Sequence, residues 1–260
     1  ELSEVRLGSY NYLAYPKPRL LAPPRQTVQI RERVDFQGNV LTPIDEADVR
    51  ARLKRLGTSE VDAVAICFLF SFMNPEHERR VRALVQEAAP NARVYISSET
   101  LPQIREYPRL VTTVANAYVA PIVVRYIEEL ERALAARGFR HRLYVMLSTG
   151  GCLTTGILKR IPVSMIESGP AAGALAAAYL GRLTGAPRII SFDMGGTTAK
   201  AGIIENGEPR TVSRFQAGEW LLGIPSLDLV EIGSGGGSIA WIDRSGMLKV
   251  GPHSAGADPG

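Results

Sequence analysis

The stretch spanning residues 188–207 constrains the fold of this chain more than any other. An apolar run ends at Asp193, two glycines and two threonines follow, and a second apolar run closes at the pair Asn206-Gly207. Two short apolar runs around a glycine-rich bend predict a β-hairpin, and Asn-Gly is typical of a further tight turn. The sequence therefore predicts a three-stranded antiparallel meander with an acid at the end of its first strand.

The bend of this meander has the residue types of a phosphate-binding turn. Its glycines let the backbone approach phosphate oxygens, consecutive amides can form an anion-binding concavity, and threonine hydroxyls add donors. Asp193, at the end of the strand, can hold Mg²⁺ through water or orient an attacking water. The candidate phosphate contacts are Gly195, Gly196, Thr197, Thr198 and Lys200.

Two alternatives stay open for this stretch. An ordinary hairpin with a glycine-rich turn has the same pattern, and short glycine motifs give false positives. Lys200, on the outgoing strand, could bind phosphate or simply lie on the surface. A Walker A loop is excluded, because no Gly-Lys-Ser/Thr sequence opens a helix here.

A second glycine-rich segment, residues 233–238, has four glycines among six residues and lies between two apolar runs. A flexible linker is the alternative, but linkers seldom separate well-patterned strands, so a ligand-contacting loop is favoured. The candidate contacts are Gly235, Gly236, Gly237 and Ser238. Residues 148–151 also follow an apolar run, as expected of a ligand loop beyond the carboxyl end of a strand.

Composition bounds the class of protein. With 260 residues, the chain can bury a substantial core in one large domain or two smaller ones. The formal charge of +4 is modest and the arginines are spread along the chain, so no nucleic acid is expected as a partner. No uninterrupted apolar run reaches the length of a membrane span, and no signal peptide is recognisable, so no membrane is expected.

The cysteines and histidines do not indicate a metal site. Cys67 and Cys152 lie far apart in apolar surroundings, which favours two free thiols in a reducing cytoplasm. The three histidines share no metal-ligand spacing. His77, in the first turn of a predicted helix, is expected to be solvated.

The first half of the chain alternates strand and helix patterns. Residues 27–35 alternate apolar and polar side chains, which predicts a half-buried strand. Thr42, before a proline, predicts the N-cap of a helix. The apolar run 61–70 predicts a central parallel strand, a further helix begins after Asn74, and residues 93–97 predict another strand. This order predicts an α/β sheet.

Helical spacing dominates residues 108–137, with an interruption expected at Pro121. The apolar face predicted for this helix consists of Tyr118, Ile122, Tyr126, Ile127 and Leu130. Residues 141–147 predict a buried strand. An Ala-rich helix running to Leu183 and stopped by Gly185 is expected to lie in the middle of the molecule, because helices of small residues pack closely.

A domain boundary is expected within residues 148–187, where the Ala-rich helix is a candidate connector. Residues 1–150 are expected to belong to a first α/β domain and residues 151–187 to the connecting segment. Residues 188–260, which contain the meander, are expected to begin a second α/β domain.

Six motifs occur in a fixed order along the chain. They are Ser98-Glu-Thr-Leu-Pro-Gln-Ile-Arg-Glu-Tyr107, Thr112-Thr-Val-Ala-Asn-Ala-Tyr118, Glu167-Ser-Gly-Pro-Ala-Ala-Gly173, Asp193-Met-Gly-Gly-Thr-Thr-Ala-Lys200, Gly233-Ser-Gly-Gly-Gly-Ser-Ile-Ala-Trp241 and Val250-Gly-Pro-His-Ser-Ala-Gly-Ala-Asp-Pro-Gly260. In residue type and spacing they resemble the hydantoinase A / 5-oxoprolinase family. The resemblance implies an actin-like ATPase fold, in which two RNase H-like α/β domains hold nucleotide in the cleft between them.

The resemblance also implies an activity. Members of the family open cyclic amides such as hydantoin or 5-oxoproline with ATP and Mg²⁺, after phosphorylation of the amide oxygen. Residues 193–198 resemble the second phosphate loop of the fold, and residues 235–238 are expected near nucleotide or substrate. A hydantoinase B-like partner subunit and a homo-oligomer are expected. The alternatives are a subunit of an ATP-dependent ketone carboxylase and a non-catalytic scaffold that binds a partner subunit.

The chain departs from the family pattern at its start. Family members begin with another glycine-rich hairpin, the first phosphate loop, and nothing in residues 1–30 supplies it. The region expected to hold adenosine would follow residue 260. We therefore expect a fragment of a longer cytoplasmic enzyme, inactive by itself.

Overall fold

The computed structural model describes residues 19–56 and 61–256. Within them the helices are α1 (Glu46–Leu56), α2 (Glu76–Ala88), α3 (Ser97–Thr100), α4 (Glu106–Ala136), α5 (Thr155–Leu158) and α6 (Ser168–Thr184), with short 3₁₀ helices at Pro24–Gln26 and Pro162–Met165. The strands are β1 (Arg33–Val34), β2 (Val40–Thr42), β3 (Ala63–Ile66), β4 (Arg93–Ile96), β5 (Tyr144–Met146), β6 (Cys152–Thr154), β7 (Arg188–Met194), β8 (Ala199–Glu205), β9 (Glu208–Pro209), β10 (Thr211–Val212), β11 (Phe215–Ala217), β12 (Trp220–Leu222), β13 (Ser226–Leu227), β14 (Leu229–Ile232), β15 (Ser238–Ile242) and β16 (Leu248–Ser254).

The described residues form two compact units. One contains residues 19–121 and 216–223, and the other contains residues 122–215 and 224–256. The division within the chain therefore falls inside α4. The domain boundaries expected near residues 150 and 188 stay predictions, because compactness alone does not define a domain.

The first unit contains the predicted parallel α/β element. β3 and β4 pair in parallel, and α2 connects them. Its core consists of Val49, Leu53, Ile66, Val81, Leu84, Val85 and Ile96. The predicted strand at 61–70 is shorter than expected, because the chain turns after Ile66 and Phe70 adopts a φ of 58°.

The start of α1 differs from the prediction. The Oδ1 atom of Asp45 accepts hydrogen bonds from the amides of Ala47 (2.9 Å) and Asp48 (3.2 Å), so Asp45 is the N-cap. The prediction for Thr42 was wrong, because this residue ends β2 and precedes a proline, which favours an extended backbone. The strand predicted at 27–35 is reduced to Arg33–Val34, which pairs antiparallel with β2.

α4 is one continuous helix that contains Pro121, so the predicted interruption was wrong. Its buried face consists of Ala115, Ala117, Ala120, Val124 and Ile127, whereas Tyr118, Ile122 and Tyr126 of the predicted face are exposed. Small side chains allow the close packing that buries a helix, and this packing outweighs the hydrogen bond that the proline removes. By length and composition α4 could cross a membrane, but the core helix of a globular protein meets the same criteria.

The second unit is built around β8. β7 pairs along its whole length on one side, and β14 and β9 pair with it on the other, all antiparallel. α6 packs on one face of this sheet through Ala171, Ala174, Ala178 and Gly181. A Cβ atom added to Gly181 would lie 2.0 Å from the Cδ1 atom of Ile189, so the helix and β7 are in direct contact.

Two buried elements expected in this unit are partly exposed. The Ala-rich helix ends at Gly185 as predicted, but Tyr179, Leu180 and Leu183 are exposed, so its central position was wrong. The strand predicted at 141–147 is confined to Tyr144–Met146, and Tyr144 is exposed. Residues 148–151 join β5 and β6 in an antiparallel hairpin and do not follow a buried parallel strand.

The polar predictions outside the meander had different outcomes. Both cysteines are free thiols, as predicted, and burial raises the pKa of Cys67 above its usual value. The prediction that His77 is solvated was wrong. Its Nδ1 atom lies 2.7 Å from the Oε2 atom of Glu32, and both side chains are buried.

Candidate functional site

The predicted glycine-rich hairpin is present and forms the first part of the site. Residues 195–198 form the bend between β7 and β8, in which the amide of Gly195 donates to the carbonyl oxygen of Thr198 (2.9 Å). At the other end of β8, Asn206 and Gly207 have φ values of 54° and 80°, as an Asn-Gly hairpin turn requires. β9 then returns along β8, so the three-stranded meander is confirmed.

The second glycine-rich segment lies directly on this bend. The amide of Gly236 donates to the carbonyl oxygen of Gly195 (3.0 Å), and the amide of Gly237 donates to that of Gly196 (2.7 Å). A Cβ atom added to Gly235 would lie 2.6 Å from the carbonyl oxygen of Gly195, so this approach needs glycine. The sequence predicted two separate loops, and only the structure shows that one supports the other.

The end of β16 supports the second segment in turn. The amide of Ala255 and the hydroxyl of Ser254 donate to the carbonyl oxygen of Gly237, at 2.8 and 3.2 Å. β16 is held against β15 by a tight turn at Asp243. Hydrogen bonds from the Ser245 hydroxyl and from backbone amides keep the pKa of the Asp243 carboxyl below its usual range.

Three consecutive amides of the bend have no acceptor in the part of the chain that the structure describes. Among the described residues, no atom accepts a hydrogen bond from the backbone N–H of Gly196, Thr197 or Thr198. The first two residues are exposed and Thr198 is half-buried. Consecutive unpaired amides in a turn form a concavity suited to an anion, so the bend has the donors that its composition predicted.

Charged side chains stand at the base of the bend. Asp193 and Lys200 are opposite each other in β7 and β8, and Asp193 is exposed. The Nζ atom of Lys200 contacts the carboxylate of Glu167 and lies 3.9 Å from that of Glu231. Lys200 is only 13% exposed, so the interpretation of it as a surface residue was wrong.

A cavity adjoins these charged residues within the second unit. Its volume is about 420 Å³, and residues of α6, β7, β8 and β14 line it. Its lining includes Asp193 and Lys200 together with Pro170, Gly173, Ala174, Ala177, Ile190, Ser191, Phe192 and Leu229. The acid and the lysine predicted for the site therefore border one cavity.

Glu167 is the site residue whose position the sequence did not reveal. It immediately precedes α6 and has a φ of 69°, a left-handed conformation that is rare for a residue with a side chain. Its motif was visible in the sequence, but a lysine more than thirty positions away could not be identified as its partner. The pairing depends on how α6 packs on the sheet.

A buried polar cluster in the first unit was also missed. The fully buried Arg109 donates to the hydroxyl of Ser97 (3.1 Å) and to the carbonyl oxygens of Gln103 (2.8 Å) and Phe68 (2.7 Å). Glu78, also fully buried, accepts hydrogen bonds from the hydroxyl of Ser97 (2.5 Å) and the amide of Phe68 (3.0 Å). Because these groups satisfy one another, the cluster holds the ends of β3 and β4 together.

The fold and the site together define a mixed α/β protein with a glycine-rich turn whose amide donors are available to an anion. Comparison with family models matches residues 109–260 to the hydantoinase/oxoprolinase family and residues 4–89 to the N-terminal region of that family. The chain belongs to the hydantoinase/oxoprolinase family, which confirms the resemblance of its motifs.

Three comparisons with individual proteins give the extent of the likeness. Caprolactamase subunit alpha of Pseudomonas jessenii is 36% identical over 262 residues, which cover 99% of this chain and 38% of that protein. The crystal structure of ATP-dependent caprolactamase from Pseudomonas jessenii has a TM-score of 0.78 at 34% identity, over 99% of this chain and 37% of that one. The nucleotide-free structure of acetone carboxylase has a TM-score of 0.76 at 30% identity, and the match covers 87% of this chain and 32% of that one. This chain thus spans less than two fifths of the length of these relatives.

Proposed function

We propose that this chain is part of an ATP-dependent hydrolase of cyclic amides and contributes one of its two phosphate-binding turns. The observation that carries the proposal is the bend at 195–198. Hydrogen bonds from Gly236 and Gly237 hold this bend, and three of its consecutive amides have no acceptor within residues 19–56 and 61–256. An ordinary hairpin needs no such support. A relative of known structure, the caprolactamase from Pseudomonas jessenii, is ATP-dependent, which also supports the proposal.

The residues present fit the polyphosphate of ATP. The amides of Gly196, Thr197 and Thr198 can donate to phosphate oxygens. The hydrogen bonds from the second glycine-rich segment hold these amides in position before phosphate binds, so no reorganisation is needed during the reaction. The amides of Gly236 and Gly237 are already used to hold the bend. We therefore assign Gly235, Gly236, Gly237 and Ser238 mainly to support of the phosphate turn.

The residues also fit a magnesium ion held with the nucleotide. Within residues 19–56 and 61–256, no three His, Cys, Asp or Glu side chains form a metal-binding group. Mg²⁺ with nucleotides commonly uses one or two carboxylates and keeps several waters, so the exposed Asp193 at the strand end is sufficient. Asp193 would hold the ion through water or orient an attacking water.

Each component has a defined part in the proposed reaction. When bound, ATP supplies the phosphoryl group that makes an inert amide oxygen reactive. The amides of the bend hold the phosphates in place, and Asp193 fixes the ion or water next to them. Positioning of this kind supplies most of the catalysis in phosphoryl transfer.

The finer architecture is part of the same proposal. The chain would contain parts of two RNase H-like domains of an actin-like ATPase fold, with the second beginning near residue 188. The first phosphate loop and the adenosine site would lie in polypeptide outside these residues, so the 260-residue chain alone would be inactive. We further propose a cytoplasmic homo-oligomer with a hydantoinase B-like partner subunit, in line with the subunit name of the caprolactamase relative.

A subunit of an ATP-dependent ketone carboxylase is the second candidate. The TM-score of 0.76 to acetone carboxylase supports it, because the same phosphate turn could serve either reaction. A scaffold that binds a partner subunit without catalysis is the third possibility.

One experiment separates these functions. The polypeptide is extended to the length of its relatives, produced with its neighbouring subunit, and supplied with hydantoin, 5-oxoproline, caprolactam, or acetone with bicarbonate, while ADP release is measured. We expect ring opening that requires ATP and Mg²⁺, and Asp193→Asn should lower it by roughly 10²–10⁴-fold.

The matched control is Glu205→Gln, which removes a carboxylate at the opposite end of the same hairpin. Its ion pair with Arg210 is about half exposed and contributes little. ATP-independent ring opening would refute the proposal. Consumption of bicarbonate with the ketone would select the carboxylase, and no ADP release with any substrate would select the scaffold.

A further inference from the structure

Lys200 is nearly buried, with one carboxylate in contact and a second close by. Its Nζ atom contacts the carboxylate of Glu167, just before α6, and lies 3.9 Å from that of Glu231 on β14. Asp193 on β7 is its direct neighbour across the strands. Only 13% of the Lys200 side chain and 17% of the Glu167 side chain are exposed.

This arrangement resembles the binding of a small cation. A carboxylate removed from water is unfavourable unless a positive charge accompanies it. A lysine ammonium is a compact point charge with three donors, and here it contacts the Glu167 carboxylate and lies 3.9 Å from that of Glu231. The ammonium therefore compensates the negative charge of these carboxylates, as a bound monovalent cation would.

The pair also joins two elements next to the phosphate turn. Glu167 has a φ of 69° directly before the 17-residue helix α6, so its contact with Lys200 attaches the start of that helix to β8. Lys200 is the second residue of β8. Only Ala199, which pairs with Met194, separates it from the bend. A displacement of either partner would move the base of the bend.

We propose that Lys200 is a positioning residue that acts as a built-in monovalent cation and fixes the start of α6 against the β7–β8 turn. The role needs no nucleotide, so it goes beyond the proposed function and can be tested without it. Direct contact of Lys200 with phosphate is the competing role.

The test is thermal unfolding of the 260-residue chain without nucleotide. Lys200→Ala leaves the acids without their cation and should lower Tm by roughly 5–10 °C. If the ammonium acts as a cation, potassium or ammonium chloride should restore several degrees of this loss. Tetramethylammonium chloride at the same ionic strength, which screens equally but is too large to enter, should not.

A double variant keeps the proposal testable if Lys200→Ala does not fold. Lys200→Met and Glu167→Gln together remove both charges while keeping the side-chain volumes. The double variant should have a higher Tm than Lys200→Met alone, because the uncompensated carboxylate is gone. Lys249→Ala is the matched control, since that lysine is 45% exposed and 3.8 Å from Asp243, and its Tm should stay unchanged.

Two results would overturn the proposal. The first is a Tm of Lys200→Ala that responds equally to all three salts, together with a double variant no more stable than Lys200→Met. The second is a Lys200→Ala chain with the wild-type Tm, which would leave phosphate contact as the role of this residue.

Discussion

The two faces of the sheet formed by β7, β8 and β14 differ in what covers them. On one face, α6 packs against Ile189 and Leu229, and Ile204 is 1% exposed. The opposite face has six large apolar residues that are 44–74% exposed, namely Ile190, Phe192, Met194, Ile203, Val230 and Ile232. Both faces come from the same strands, so the difference lies in their neighbours.

The comparison shows that these strands have apolar side chains on both faces although only one face is covered. Adjacent isoleucines at 189–190 and 203–204 place apolar side chains on both faces. Such continuous apolar strands are typical of sheets that are covered on both sides. Among the described residues only one side is covered, and large exposed apolar patches of this kind mark interaction surfaces.

The largest expected effect contrasts two neighbouring isoleucines of β8. Ile204→Ala should destabilise the chain by about 2–5 kcal/mol, because it opens a cavity beneath α6. Ile203→Ala makes the same chemical change on the open face and should cost less than about 1 kcal/mol. Urea unfolding of both variants under the same conditions measures the difference, and equal losses would show that both faces are packed.

An intermediate effect on the free energy of unfolding is expected when a glycine on the covered face is replaced by alanine. Gly202→Ala places a Cβ atom 2.7 Å from the Cδ2 atom of Leu229 and 2.9 Å from the hydroxyl oxygen of Ser191. Overpacking of this kind should cost about 1–2 kcal/mol, measured by urea unfolding. Gly196→Ala is the control for stability, because a Cβ atom there has no neighbour within 4 Å. If Gly202→Ala were as stable as Gly196→Ala, the contact with β14 would be loose.

The smallest effect on stability is expected on the open face. Phe192→Ser should change the free energy of unfolding by about 0.5 kcal/mol or less, because the ring is already 60% exposed. It should nevertheless reduce self-association, measured by sedimentation over a range of concentrations. Phe36→Ser changes an exposed phenylalanine outside this face and should leave self-association unchanged. A loss of stability above about 2 kcal/mol for Phe192→Ser would show that this face is buried in solution.

Short-range patterns explain the parts of the fold that were predicted. The hairpin, its Asn-Gly turn and the glycine at the end of α6 depend on backbone conformations that a few residues specify locally. The parallel pair β3–β4 followed from an apolar run and the helix between the strands. Nothing beyond the neighbouring residues was needed for these elements.

The errors have a common cause. The apolar face of α4 was assigned to its largest side chains, but Ala117 and Ala120 allow closer packing and are buried in place of Tyr118 and Ile122. Thr42 and Asp45 are both good N-caps, and the backbone conformation before Pro43 decided between them. In each case tertiary packing or backbone geometry selected one of several locally acceptable arrangements.

The candidate site divides in the same way. The sequence by itself predicted the glycine-rich turn and its candidate phosphate chemistry, because glycines, threonines and a strand-end acid suit that chemistry wherever the turn lies. Only the tertiary structure decided that Gly235 supports this turn and that Glu167 pairs with Lys200. These contacts join residues 33 or more positions apart, and their geometry depends on how a helix and two loops pack on one sheet.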